Sequence, residues 1–139
     1  MSAPSRILVN WKSDRIFEAG REGRPSITLD GDGVISPTPP DALLAALASC
    51  VSVDVVDILA KRRTPVEKYS VEILGERVDS IPRRFKNITM NISITGSGIE
   101  RAPAEHAIDL AVNKYCSVRD SLDPDIPIEW NLSINSQDE

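Results

Sequence analysis

A chain of 139 residues with 41% hydrophobic and 27% charged residues is a single domain (1–139) of ordinary globular composition, able to bury roughly two-thirds of its unfolded surface. Only 4% of the residues are aromatic, so Val, Ile, Leu and Ala must fill the core. The net charge of −5 and the lack of a dense Lys/Arg cluster argue against nucleic acid as a partner.

In chain order, Ile7-Leu-Val-Asn-Trp11 reads as a strand with Ile7, Val9 and Trp11 on one face. Arg15–Ala19 is expected to pair back with it, and Ser26–Leu29 follows the Gly20–Arg24 turn as a third short strand. Asp30-Gly-Asp-Gly33 and Ser36-Pro-Thr-Pro-Pro40 are loop chemistry, and the paired prolines mark a helix start. From Pro40 to Arg63 the pattern is helical and apolar nearly all round, which predicts a centrally buried helix. Lys61-Arg62-Arg63 closes it, where cations offset the negative end of the helix dipole, and Pro65 stops it. Tyr69, Val71 and Ile73, then Ile88, Met90, Ile92 and Ile94, alternate with polar residues as two half-buried strands. Ala104, Ala107, Ile108, Ala111, Val112 and Tyr115 form one stripe of a second helix running to Cys116. Ile126, Ile128, Trp130, Leu132 and Ile134 make a last strand. The expected class is α+β with mainly antiparallel sheets. A helix apolar on every side needs more cover than six short strands supply, which predicts a homodimer built on that helix.

The first residues hold no apolar run followed by a small-residue cleavage site. The uncharged run Ala42–Val53, about 12 residues, falls short of the ~20 of a membrane span. A cytoplasmic location without membrane contact is therefore expected. Thiols stay reduced there, and a transient disulfide is the permitted kind. The Asn-x-Ser/Thr triplets at Asn87, Asn91 and Asn131 then read as chance matches in strands.

Both cysteines, Cys50 and Cys116, are expected on core-facing helical surfaces. They are either inert small hydrophobes or a dithiol that meets across a packed interface. Asp54, one turn after Cys50, predicts a nearby Arg or Lys that could also serve the thiol. Arg21 and Arg24, in a Gly-punctuated turn, are able to reach inward. The single histidine, His106, reads as a structural residue of the second helix. One His and two Cys cannot make a zinc tetrad within a chain, and no metal or cofactor is implied.

The run Ser36-Pro-Thr-Pro-Pro-Asp-Ala-Leu-Leu-Ala-Ala-Leu-Ala-Ser-Cys50 resembles the first signature of the OsmC/Ohr family, the osmotically inducible and organic hydroperoxide resistance proteins. Lys114-Tyr-Cys-Ser-Val118 resembles the second, and Cys50–Leu59 resembles the YhfA-like branch, including the aspartate after the cysteine. The separation of 66 residues between the cysteines suits that family. The resemblance implies an OsmC-like fold, with antiparallel sheets wrapped around a long central helix in an intertwined homodimer. It implies a peroxidase in which Cys50 attacks an organic hydroperoxide, Cys116 resolves the sulfenic acid through a disulfide, and an external thiol reductant restores the pair. Gly20-Arg21-Glu-Gly-Arg24 resembles the turn that carries the family's activating arginine, which makes Arg21 the candidate. The glutamate that orients it has no match at Pro40; Asp41 stands one place later, half a helical rotation away from Cys50. Asp41 also reads as a carboxylate favouring the positive N-terminus of the helix. Two other functions share these residues. One is a non-enzymatic module holding a hydrophobic small molecule at the dimer interface, and the other is a thiol redox sensor.

Overall fold

The computed structural model describes residues 3–135. The elements run β1 (Leu8–Ser13), β2 (Ile16–Gly20), β3 (Ile27–Asp30), α1 (Pro39–Lys61), β4 (Lys68–Arg77), β5 (Phe85–Thr95), α2 (Arg101–Leu110), α3 (Ser117–Asp120) and β6 (Ile128–Ile134). The α+β class read from the sequence is the one observed. The chain divides into two compact units, one ending at Leu43 and the other beginning at Leu44. The boundary falls in the opening turns of α1.

In the first unit, β1, β2 and β3 form an antiparallel meander, with Trp11 opposite Phe17 and Phe17 opposite Leu29. The face of β1 carrying Val9 and Trp11 stays open, as does Ile7 just before the strand, with 65% of Trp11 exposed. Asp30, buried at the end of β3, organises the loop that leads to α1. Its Oδ1 accepts from the N–H of Asp32 at 2.9 Å, and its Oδ2 accepts from Val34 and Ile35 at 3.1 Å each. Thr38 then opens the helix. Its hydroxyl accepts from the Asp41 N–H at 3.2 Å, and the Asp41 carboxylate accepts from the Thr38 N–H at 3.1 Å. This reciprocal pair satisfies two backbone donors that a helix start leaves open, as in a capping box.

In the second unit, β4, β5 and β6 form the other three-stranded sheet. β4 and β5 pair antiparallel (Tyr69 opposite Ile94, Ile73 opposite Met90), as the alternation predicts. β6 pairs with β5 in parallel, from Ile88 opposite Ile128 to Ile94 opposite Ile134. Three of the four strand pairings are thus antiparallel, as the mainly antiparallel reading expects, and β5–β6 is the parallel exception. The chain between β5 and β6 holds α2 and α3, a crossover long enough to return the chain in the same direction. Phe85, Ile88, Met90, Ile92 and Ile94 of β5 face the core with Leu47, Val51, Val55 and Leu59 of α1 and Ala104, Ala107, Ile108 and Ala111 beyond them. Gly75 in β4 has no side chain because the Phe85 ring takes that space: a Cβ there would stand 2.6 Å from Phe85 Cε1. On the opposite face, Asn87, Asn91 and Asn131 donate to Glu76, Glu72 and Asn91 at 2.9, 3.0 and 2.8 Å. The Asn-x-Ser/Thr triplets therefore do lie in strands.

Of the expectations about the helices, the full cover of α1 is assigned to a second subunit, and the course of α2 is corrected. Within one chain, Leu47, Val51, Val55 and Leu59 make one buried stripe of α1, while Val53 is 60% exposed. Only the sheet-facing side of this apolar helix is covered there. With 23 residues and an 18-residue stretch of mean hydropathy 2.1, α1 is also long and apolar enough, by length and composition, to cross a bilayer. The 12-residue uncharged run understates it, because Asp54 and Asp57 interrupt the run without lowering the average much. The α2 helix does not run to Cys116. After Leu110 the turn widens over Ala111–Tyr115 into a π-helix, closed by the Cys116 N–H donating to the Ala111 carbonyl at 2.9 Å. Cys116 itself is extended (φ −75°, ψ 107°) and precedes the short helix α3.

Candidate functional site: two thiols in the second unit

Cys50 sits mid-helix on α1, beside the buried stripe and half-exposed, so its position follows from the helical register. Cys116 is buried, between the π-turn and α3. A π-turn inserts an extra residue and displaces everything after it, a device that recurs at functional positions. Here it carries the Cys116 thiol to Cys50. Both thiols are free.

Around the Cys50 sulfur stand the backbone N–H groups of Val118 and Ser117, the Ser117 hydroxyl and the Cys116 thiol. All lie within interaction reach. None closes to the short, linear geometry of the Arg119 N–H, which donates to Cys116 Sγ at 3.3 Å. Burial pushes the Cys50 thiol up. The Val118 N–H, the Cys116 thiol, and the Ser117 hydroxyl and N–H outweigh that cost, so its pKa is lowered. Cys116 moves the other way. Burial raises it first; the Arg119 N–H pulls it down, and the hydrogen bond to Cys50 with the Cys50 charge holds it up, at about 11. Two coupled thiols that share one proton separate in this manner, the half-exposed sulfur carrying the charge and its buried neighbour keeping the hydrogen. The thiolate is the nucleophilic form of cysteine, so the arrangement can deliver a nucleophilic Cys50 beside a protonated Cys116.

The other candidate residues are placed as follows. Arg21 and Arg24 are exposed in a turn closed by the Arg24 N–H donating to the Arg21 carbonyl at 3.2 Å, with Gly23 at φ +73°. They line an open hollow of the first unit together with Arg6 and Glu22, and these last two pair at 3.0 Å. Asp41 is exposed and its carboxylate is taken by the Thr38 N–H, which gives it a capping role. Asp54 forms no ion pair among the described residues, so the cation it was expected to bring to Cys50 is not found there. His106 is exposed on α2. Ser117 and Val118, read in the sequence only as neighbours of Cys116 within the second signature, prove to bear on Cys50, and their contribution is largely main-chain.

A long helix bearing one cysteine, laid on a sheet whose crossover returns a second cysteine to it, defines an α+β dithiol protein. The chain belongs to the OsmC-like protein family, whose sequence pattern it matches over residues 30–131. It is 33% identical over 127 residues to protein YhfA of Escherichia coli K12, covering 91% of this chain and 95% of that one. Its fold matches an OsmC-like protein from Mycoplasma pneumoniae with a TM-score of 0.80 at 18% identity, over 96% and 99% of the two chains. It also matches the organic hydroperoxide resistance protein OhrB of Bacillus subtilis with a TM-score of 0.62 at 12% identity, over 94% and 98%.

Proposed function

We propose that this protein is a cysteine-dependent reductase of organic hydroperoxides, serving oxidative stress defence in a reducing, cytoplasmic setting and working as a homodimer. The observation that carries this reading is the meeting of Cys50 with Cys116 and with the main-chain N–H groups of residues 117 and 118. The Cys50 thiolate attacks the distal peroxide oxygen and breaks the O–O bond. Cys50 becomes a sulfenic acid, and the alkoxide takes a proton and leaves as the alcohol. The Cys116 thiol then displaces hydroxide from the sulfenic sulfur. Water leaves, the Cys50–Cys116 disulfide forms, and oxidation stops at its reversible rung. An external thiol returns both sulfurs to the reduced state. Arg21 remains the candidate cation for the departing alkoxide, while Asp41 is read as a helix cap.

The test is consumption of cumene hydroperoxide with dithiothreitol as the reductant. The parent should turn over, Cys50→Ser should lose at least about 100-fold in rate, and Cys116→Ser should oxidise once and then over-oxidise. Consumption by Cys50→Ser at the parent rate would refute the enzyme reading. Retained binding of an apolar ligand by that inactive variant, with no turnover by the parent, would establish a binding module instead.

A further inference from the structure

Beside Cys116 lies a hollow of about 240 Å³ lined by Val112, Lys114, Cys116, Arg119, Leu122 and Pro124 among others. No residue of α1 lines it, and neither do Ser117 and Val118, the residues that face the Cys50 sulfur. The hollow is therefore lined by Cys116 but not by Cys50 or by the residues that face the Cys50 sulfur. Its wall is firmly built: the Arg119 guanidinium donates to the carbonyls of Asp123, Pro124 and Ile126 at 3.1, 3.4 and 3.0 Å, holding the chain that follows α3. Lys114, at the rim, supplies a positive charge that favours the thiolate form of an incoming thiol.

A thiolate that cleaves a disulfide approaches along the S–S axis, opposite the sulfur that leaves. In the oxidised protein two directions exist, one onto Cys50 and one onto Cys116. We propose that this hollow is the reductant site, and that a small thiol entering it attacks Cys116 with Cys50 as the leaving group. The inference rests on the dithiol reading above and adds the direction of its reducing half. In the first step the new bond joins the reductant sulfur to Cys116 Sγ, the Cys50–Cys116 bond breaks, and its electron pair departs on Cys50. In the second step another thiolate of the same reductant attacks the reductant sulfur of the mixed disulfide. Cys116 is then released and takes up a proton, while the reductant leaves as its disulfide. Exchange is fastest when the departing sulfur is the better-stabilised thiolate. Here that sulfur is Cys50, whose anion is favoured by the neighbouring Val118 and Ser117 groups. Departure on Cys116, buried with its proton held high, would be slower. The hollow suits a small thiol better than a folded reductant protein, since pockets for drug-sized ligands begin near 300 Å³.

The test begins with the disulfide made by diamide, so that it does not depend on hydroperoxide turnover. Brief exposure to cysteamine, acid quenching, alkylation with iodoacetamide and peptide mass analysis should find cysteamine on Cys116 and the alkyl group on Cys50. Filling the hollow with Leu122→Trp, or with the exposed Asn113→Trp if the first does not fold, should slow cysteamine reduction about tenfold or more. Alkylation of Cys50 in the reduced variant should stay within about twofold of the parent. Cysteamine found on Cys50, or reduction of a correctly folded, filled variant at the parent rate, would overturn the proposal. Both results would leave the hydroperoxide reading standing, whereas failure of the parent to consume hydroperoxide would overturn that reading alone.

Discussion

Two cysteines of equal intrinsic chemistry are made unequal by their neighbours. Cys50 gains donors that favour its anion, led by the Val118 N–H, and these exceed its burial cost. Cys116 is buried with an anion beside it and is pushed up to about 11. A cysteine reacts as its thiolate, and the thiolate appears as pH rises through the pKa. A lowered pKa therefore brings reactivity in at lower pH, and a raised one delays it. At neutral pH a limiting amount of iodoacetamide should label Cys50 first, with Cys116 labelled far more slowly and faster as pH rises, because burial, the first cause of its raised pKa, remains after Cys50 is alkylated. Ser117→Ala removes the hydroxyl donor and leaves the N–H in place. It should slow Cys50 labelling at pH 7 by about 3–10-fold, the worth of one weak charge-assisted bond, as timed by intact mass. An unchanged rate would show that the hydroxyl does not serve the sulfur. The two cysteines were legible in the sequence because a thiol is a side chain, but the residues alone left them open between inert lining and a dithiol. The donors were not legible, because they are mainly peptide N–H groups, which every residue but proline carries. The reading looked for a cation beside Asp54, the kind of partner that a sequence can display.

Among the elements, period and punctuation were legible while direction and cover were not. Alternation in Ile126–Ile134 marks a strand equally well in either direction; only the crossover through α2 and α3 makes β6 parallel to β5. The stripe Ala104, Ala107, Ile108, Ala111 marks a helix, but no residue type announces that the hydrogen bonding changes to i→i−5 at Ala111–Tyr115. The end of α1 shows how punctuation can be incomplete. Arg63 adopts φ +65°, with its N–H bonded to the Ala60 carbonyl at 3.0 Å and the Thr64 N–H bonded to the Leu59 carbonyl at 3.0 Å. This is a Schellman ending, in which the left-handed position is ordinarily filled by glycine. The basic run at this helix end suits the dipole, but its last residue, Arg63, pays a steric cost. Arg63→Gly should raise stability by about 0.5–1 kcal/mol, the left-handed penalty less the added chain entropy. A urea midpoint that falls would show that the charge or stem of Arg63 outweighs its backbone strain.

For the whole molecule, the open question set by the sequence is what covers α1. Its apolar pattern exceeds what one chain buries. Leu47, Val51, Val55 and Leu59 are fully enclosed, whereas Ala46, Ser49, Val53, Val56 and Ala60 are exposed. Those exposed positions recur at intervals of 3, 4, 3 and 4, with Val53 about half a helical rotation from the buried stripe. That is the spacing of a helix–helix seam, and its small side chains allow close approach. A second copy of α1 presenting the same seam would satisfy it by two-fold symmetry, since an isologous contact requires only that the surface complement itself. The open apolar face of β1 points the same way: an exposed Trp11 and Val9 are ordinary singly but not beside one another. If the seam is the contact, Val53→Asp places two carboxylates together at its centre. Light scattering should then change from a two-chain to a one-chain mass at about 10 μM protein. The core of the second unit does not include Val53, so the Cys50–Cys116 disulfide should still form on diamide treatment. A parent that already runs as a single chain, or a Val53→Asp variant that stays paired, would remove α1 from the interface and leave its exposed face without a partner.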